Sequence, residues 1–444
     1  MERPEVHYAR SGDVAVAYQV VGKGSPDVVF FRGLTGDLLS TWDQPLLVRH
    51  VEGLAEAGRL VMLDRRGSGL SDRTREVPSV ESAMDDIRAV LDAVGSERAV
   101  LWTGSYATGI AVMFAATYPE RTAGVILFDP RARGVRSDDY PWAQTAETWR
   151  SQLAAIRAGW GDRAFLEELV HEWAPEAAAN DAVRGWFVDH MRRSLTPGSA
   201  VTSFRAAMEL DVRGVLGAVR VPALIIPRPD EPGPGHYVAA RIRGAELVEL
   251  PPFRGLFTWL DEDAHRATMT ATSDFVRRLS PTTQPTRVLA TLLFTDIVGS
   301  TERAAALGDG AWRELLGRHH AIVRRELAQH GGLELDTAGD GFFASFDGPA
   351  RAVRAAAAIS AALGEAEIPI RAGIHTGECE VAEDKLAGIA VSIAARVAAL
   401  ADAGEVLVSS TVRDLAAGSG ITFADRGEHE LKGVPDRWRL YAAE

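Results

Sequence analysis

The 444-residue chain is too long for one ordinary core, so two domains are expected. A net charge of −13 argues against broad binding to nucleic acid or to an anionic membrane. Hydrophobic residues make up 46% of the chain without any run of about 18 apolar positions, which excludes a membrane-spanning helix as an expectation.

The charged start Met1-Glu2-Arg3-Pro4-Glu5 lacks a signal-peptide core, so a cytoplasmic location is expected. A single cysteine, Cys379, excludes an internal disulfide and a thiolate metal cage. The basic residues are almost all arginine; the lysines are Lys23, Lys385 and Lys432.

In chain order, 27–33 and 58–64 read as buried strands, followed by apolar runs at 99–102 and 124–128 with a long apolar helix between them ending near Tyr118-Pro119. Strands alternating with helices imply a parallel, doubly wound α/β sheet. Ser105 falls at a strand-to-helix turn, where a nucleophile elbow places its serine. The positions two residues either side, which such a strained turn favours as glycine, are Thr103 and Ala107.

The stretch from Asp64-Arg65-Arg66-Gly67-Ser68-Gly69 through Ser105 to Tyr118-Pro119-Glu120-Arg121 resembles the α/β-hydrolase family over about residues 5–278. That resemblance implies an acid after a later strand, for which Asp230 and Glu231 are candidates, and a histidine in the loop after the strand at 246–250. The loop reads Pro251-Pro252-Phe253-Arg254-Gly255-Leu256, without histidine; His236 and His265 are the nearest in sequence. A serine without a base is a weak nucleophile, so Ser105 reads as the remnant of a retired hydrolase with a regulatory role. Residues 140–210 are helical and contain Trp142, Trp149, Trp160, Trp173 and Trp186. They read as a cap that either encloses an apolar small-molecule ligand or packs its own core.

The polar, proline-containing stretch 280–287 reads as a linker between a first domain at 1–279 and a second at 288–444. In the second, an apolar strand pattern ends at Asp296 and is followed by Ile297-Val298-Gly299-Ser300-Thr301 and a helix expected over 311–330. Strand-like runs at 333–336 and 341–346 form a hairpin with Asp340 at its tip. If that hairpin neighbours the first strand, Asp296 and Asp340 meet, and two hard carboxylates suit Mg²⁺ or Mn²⁺ carried with a nucleoside triphosphate. A helix at 349–363, a strand at 368–374 and a helix at 388–397 follow; Ser392 and Arg396, four apart, share one face of the last.

Together with Gly373-Ile374-His375-Thr376-Gly377, Ala394-Ala395-Arg396 and Leu431-Lys432-Gly433, these segments resemble the catalytic domain of class III nucleotidyl cyclases. The resemblance implies a ferredoxin-like α+β core (βαββαβ), a homodimer with shared active sites, and conversion of a nucleoside triphosphate to a 3′,5′-cyclic nucleotide and pyrophosphate. It further implies two metal ions per site on Asp296, Asp340 and Ile297, and a phosphate cradle at Gly299, Ser300 and Thr301. Arg396 would stabilise the transition state and Lys432 would contact the β/γ-phosphates.

Three positions depart from the family pattern. Asp336 stands where a lysine usually reads adenine, Lys385 where its aspartate partner stands, and Ser392 where the helix usually carries asparagine. Asp336 and Lys385 form either an exchanged base-reading pair or a plain salt bridge. ATP ranks first as substrate by family frequency and GTP second, with a pyrimidine nucleotide open. The alternative readings are a non-catalytic nucleotide-binding or scaffold dimer and an active serine hydrolase.

Overall fold

The computed structural model describes residues 3–74, 79–279, 287–382 and 385–444. All of the expected linker except Arg287 lies outside the described residues. The chain divides into two compact units, Met1–Pro285 and Thr286–Glu444. Among the described residues, no helix is long and apolar enough to cross a membrane.

The first unit is built on eight strands: β1 (His7–Ser11), β2 (Val14–Val21), β3 (Asp27–Phe30), β4 (Arg59–Leu63), β5 (Ala99–Gly104), β6 (Thr122–Phe128), β7 (Ala223–Ile226) and β8 (Glu246–Leu247). Their order is β1-β2-β4-β3-β5-β6-β7-β8, antiparallel as far as the β2/β4 pair and parallel from β4 onward. Strands covered on both faces read as continuous apolar runs, and Val28, Val29, Leu60, Val61, Val100, Leu101, Ile126 and Leu127 are buried. The edge strand β8 pairs over two residues, shorter than the expected 246–250. The helix Thr108–Thr117, apolar all round, is buried over nearly its whole length. Five helices between Ala146 and Glu209 form the cap, with Trp149, Trp160, Leu166, Phe187 and Phe204 in its core.

The second unit begins with β9 (Arg287–Ile297), so the strand runs through Asp296 instead of stopping at it. The helix Ser300–Gln329 follows, starting well before the expected residue 311 and broken at Gly308 (φ 74°). Then come β10 (Leu333–Ala338), β11 (Gly341–Phe346), the helix Pro349–Glu365, β12 (Ile370–Ala382), β13 (Lys385–Ala387), the helix Ile389–Leu400, β14 (Val406–Ser409), the helix Ser410–Leu415, β15 (Phe423–Glu430) and β16 (Arg437–Ala443). The sheet order is β10-β11-β9-β12-β14-β16-β15, with β13 hairpinned onto β12. Elements β9 to β12 make the βαββαβ core of the ferredoxin-like arrangement.

Period-two alternation assigns the two faces of β9. Leu293 and Ile297 enter the core with Val323, Leu327, Ile359 and Leu363 from the helices Ser300–Gln329 and Pro349–Glu365. Each fully buried aliphatic side chain there contributes about 1.5–3 kcal/mol relative to exposure. Ala290 and Leu292 pack on the opposite face against Ala390 and Ala394 of the helix Ile389–Leu400. Phe294 and Asp296 continue that second face to the strand's end, which is how a carboxylate comes to rest beside a helix of small residues.

Candidate active sites

The hairpin β10–β11 pairs with β9 through β11, placing Phe342 opposite Thr295 and Phe343 opposite Phe294. The two-residue turn Gly339-Asp340 thereby reaches the end of β9. Asp340 Oδ2 accepts the Ile297 amide N–H at 3.3 Å, and Gly339 takes φ 66°, a left-handed value that suits glycine. The His320 Nε2–H donates to the Gly339 carbonyl at 3.0 Å and holds the turn from the helix side. Asp296 and Asp340 are thus brought together.

Arg371 on β12 lies opposite Asp296 in register, and its Nη2 donates to Asp296 Oδ2 at 2.7 Å. Burial pushes the Asp296 carboxyl above the usual range, the Arg371 hydrogen bond draws it back, and the neighbouring Asp340 carboxylate pushes it up again. A cleft of about 430 Å³ opens here, lined by Phe294, Asp296, Asp336, Phe343 and Arg371, with Val391 and Ala395 as its helical wall. Phe294 and Phe343 stack in it with centroids 4.5 Å apart and planes 11° from parallel. Asp336 is exposed and accepts the Thr337 amide N–H at 2.9 Å. Lys385 contributes backbone to β13; its side chain and Asp384 lie outside what is described.

Gly299 (φ 67°) precedes the first turn of the helix Ser300–Gln329, whose free N–H groups suit phosphate oxygens. Arg396 sits elsewhere. Its Nε donates to the Lys432 carbonyl at 3.2 Å, and both lie on the exposed side of a cluster made by Ile393, Val397, Leu407, Leu431 and Leu440. Ser392 and Arg396 do not line the cleft that holds Asp296. One copy therefore carries a carboxylate cluster in the cleft and, outside it, an arginine–lysine pair. His375, within one of the motifs, is a packing residue: burial pushes its imidazole down to about 4, and Nδ1 meets Ser409 Oγ at 2.8 Å.

In the first unit, Ser105 opens a short turn between β5 and the helix Thr108–Thr117 and adopts φ 53°. That value is uncommon for a non-glycine residue and marks a strained turn. A side chain at Gly104 would strike the Phe128 carbonyl at 2.6 Å, so glycine is needed before the serine.

Residues 284–443 match the family described as the adenylate and guanylate cyclase catalytic domain, and residues 26–226 match the alpha/beta hydrolase fold. The chain joins an α/β-hydrolase-fold domain to a class III nucleotidyl cyclase domain. A Rhizobium meliloti protein carrying an adenylate cyclase name is 31% identical over 157 residues, 33% of this chain and 27% of that protein. The adenylate cyclase of Lachancea kluyveri is 31% identical over 186 residues, 35% of this chain and 10% of its own length. An AB hydrolase superfamily protein of Bacillus subtilis (YisY) is 26% identical over 255 residues, covering 56% of this chain and 90% of that protein. An enol-lactonase structure from Burkholderia xenovorans superposes with TM-score 0.52 at 23% identity, covering 61% of this chain and all of that one, and shares the fold. The chain thus spans about a quarter and a tenth of the two cyclase relatives.

The cyclase domain's donor set fits a divalent cation. Two carboxylates meet and Arg371 bonds one of them, Asp296, an arrangement in which the like charges oppose ionisation until a cation joins them. Among the described residues, no group of three or more His, Cys, Asp or Glu side chains gathers as a metal site. A cation here would take its remaining oxygens from backbone, water and substrate phosphate, as Mg²⁺ does.

The hydrolase-fold domain places Ser105 in a cavity of about 700 Å³ beneath the cap. Asp230 and Glu231 both line it, and Arg228 clamps them at 2.6 and 3.0 Å. The loop position expected to carry histidine presents Leu256 to the cavity. His236 bonds Glu249 at 3.1 Å, and His265 packs against His50 with rings 5.5 Å apart; neither lines the cavity. His50 and His190 do line it, which the sequence did not suggest. Burial pushes the His50 imidazole down to about 3, and His190 Nδ1 meets Ser40 Oγ at 2.7 Å. Among the described residues, no hydrogen bond to the Ser105 hydroxyl is formed.

Arg371, Phe294, Phe343 and His320 were also missed in sequence. Alternation along β9 is the signal that finds Phe294, two residues before Asp296. Arg371 and Phe343 need the strand register, which no local pattern carries.

Proposed function

We propose that the protein is a metal-dependent adenylate cyclase converting ATP to 3′,5′-cyclic AMP and pyrophosphate in sites shared between two copies. The observation that carries this reading is the meeting of Asp296 and Asp340, with Arg396 and Lys432 paired on a separate surface of the same copy. In the reaction the ribose 3′-oxygen bonds to the α-phosphorus, the bond from that phosphorus to the pyrophosphate oxygen breaks, and the hydroxyl proton passes to solvent.

Asp296, Asp340 and the Ile297 carbonyl would hold two metal ions, Mg²⁺ or Mn²⁺, which would supply Lewis-acid chemistry, making the 3′-hydroxyl more acidic and offsetting charge on the pyrophosphate. The amides of Gly299, Ser300 and Thr301 cradle phosphate oxygens. Arg396 of the second copy meets the charge that develops on the α-phosphoryl group, Ser392 one turn away donates beside it, and Lys432 binds the terminal phosphates. The stacked Phe294 and Phe343 give the cleft an apolar floor for a base, and Asp336 with Lys385 reads the base edge with acid and base exchanged. Arg371 compensates Asp296 until substrate arrives. A nucleoside triphosphate substrate accords with a location in the cytoplasm.

The hydrolase-fold domain is a regulatory module without hydrolytic activity, supported by Leu256 at the expected base position and by the low basicity of His50. Mixing inactive variants tests the shared site. Asp296→Ala and Arg396→Ala, each inactive alone, regain activity when co-refolded because the mixed dimer contains one intact site. No recovery in a verified mixed dimer would contradict the shared geometry.

A further inference from the structure

The cavity above Ser105 contains polar groups that neither a hydrolytic site nor the fold employs. Gln144 precedes the cap helix Ala146–Gly159 and Gln152 lies on it. Both line the cavity, and the Oε1 atoms of both are buried without a partner. A buried amide left unpaired is destabilising, so two facing one cavity call for a bound group. Much of the remaining wall is aromatic, with Trp149, Trp173, Trp186, Phe187, Phe257 and Trp259 beside a set of charged residues.

Two of the buried cations that line the cavity are already committed to carboxylates. Arg131 is matched by Asp129 at 2.9 Å and Glu231 at 2.7 Å, and Arg228 by Asp230 at 2.6 Å and Glu231 at 3.0 Å. Arg32 donates to Thr41 Oγ1 at 2.6 Å in the field of Asp64 and Asp37. An ionised carboxylate has no proton to offer the two unpartnered Oε1 acceptors, whereas a neutral hydroxyl or amide has one. The volume of about 700 Å³ lies within the range of small-molecule sites.

We propose that this cavity binds an uncharged, predominantly apolar small molecule whose polar end is held by the amides of Gln144 and Gln152, and that it releases that molecule unchanged. The second clause rests on the non-hydrolytic reading of Ser105; the first does not.

The test uses the full chain and the neutral fluorophore N-phenyl-1-naphthylamine, with 1-dodecanol and dodecanoate as competitors. One saturable site per chain is expected, lost in Leu256→Trp, which fills the cavity. Gln152→Trp serves as the second filling variant should Leu256→Trp fail to fold. Dodecanol should displace the probe at lower concentration than dodecanoate, and Gln144→Leu/Gln152→Leu should weaken that displacement by about five- to tenfold while the probe still binds.

Probe binding that survives both filling variants would overturn the cavity assignment. Dodecanoate competing as well as dodecanol would overturn the uncharged class, and an unchanged dodecanol response in the double variant would overturn the role of the amides. Turnover of p-nitrophenyl butyrate that disappears in Ser105→Ala would overturn release unchanged, and would leave the other three results standing.

Discussion

Replacing Gly373 by alanine should cripple the cyclase domain through one atom. Gly373 lies on β12 between Phe294 of β9 and Leu407 of β14, directly beneath the helix Ile389–Leu400. A Cβ there would stand 2.0 Å from the Ala398 amide nitrogen and 2.3 Å from its Cα, both of them backbone atoms that cannot rotate aside. Side-chain carbons essentially never approach closer than 3.0 Å, so the helix must lift by about 1 Å. Such overpacking costs about 1–3 kcal/mol, and a unit of this size loses about 2–4 °C of melting temperature per kcal/mol. The same helix carries Ser392 and Arg396, and if they act as proposed, a 1 Å misplacement costs about a hundredfold in rate. Differential scanning fluorimetry and cyclic-nucleotide production measure the two effects. Gly364→Ala is the control: it lies in the helix Pro349–Glu365, where a new Cβ meets nothing within 4 Å, and it should match or exceed the parent in stability. Unchanged melting and full turnover in Gly373→Ala would refute the packing argument.

Three further outcomes follow from the same geometry. Saturating Mn²⁺ with a non-hydrolysable ATP analogue should raise the melting temperature of the parent protein, by about 2.7 kcal/mol of stabilisation at a hundred times Kd. Asp296→Ala and Asp340→Ala should each abolish most of that rise. His50 titrates at about 3 in the folded state against 6.5 for the free side chain, so the unfolded chain takes up a proton that the folded one refuses. Its stabilising contribution is complete above pH 6.5 and declines as pH falls toward 3, by at most about 1.4 kcal/mol per pH unit. Urea unfolding followed by tryptophan fluorescence should show that decline in the parent and a flatter profile in His50→Leu.

Local signals made much of the cyclase domain legible. The Gly-Asp-Gly turn between two apolar strands specified a hairpin, and adjacency of that hairpin to β9 was enough to bring Asp340 to Asp296. The helix expected over 311–330 starts instead at Ser300, ahead of a break at Gly308. Gly308 does leave helical geometry, yet the helix resumes on both sides of it, with Leu315, Val323 and Leu327 packed against the sheet. Arg371 was invisible because an ion pair across β9 and β12 depends on register over 75 residues. The cavity amides escaped for a similar reason: Gln144 and Gln152 look like ordinary cap polar residues until the cap folds over Ser105. Histidines gave the weakest guide, since sequence proximity pointed to His236 and His265 whereas the fold delivers His50 and His190 to the cavity.

The central claim is tested most directly by incubating the purified full chain with Mn²⁺ and each of the four nucleoside triphosphates, then quantifying cyclic product and pyrophosphate by chromatography. The expected result is 3′,5′-cyclic AMP with an equal amount of pyrophosphate from ATP, and neither product from Asp296→Ala. A folded dimer that yields no cyclic nucleotide from any of the four would contradict the account.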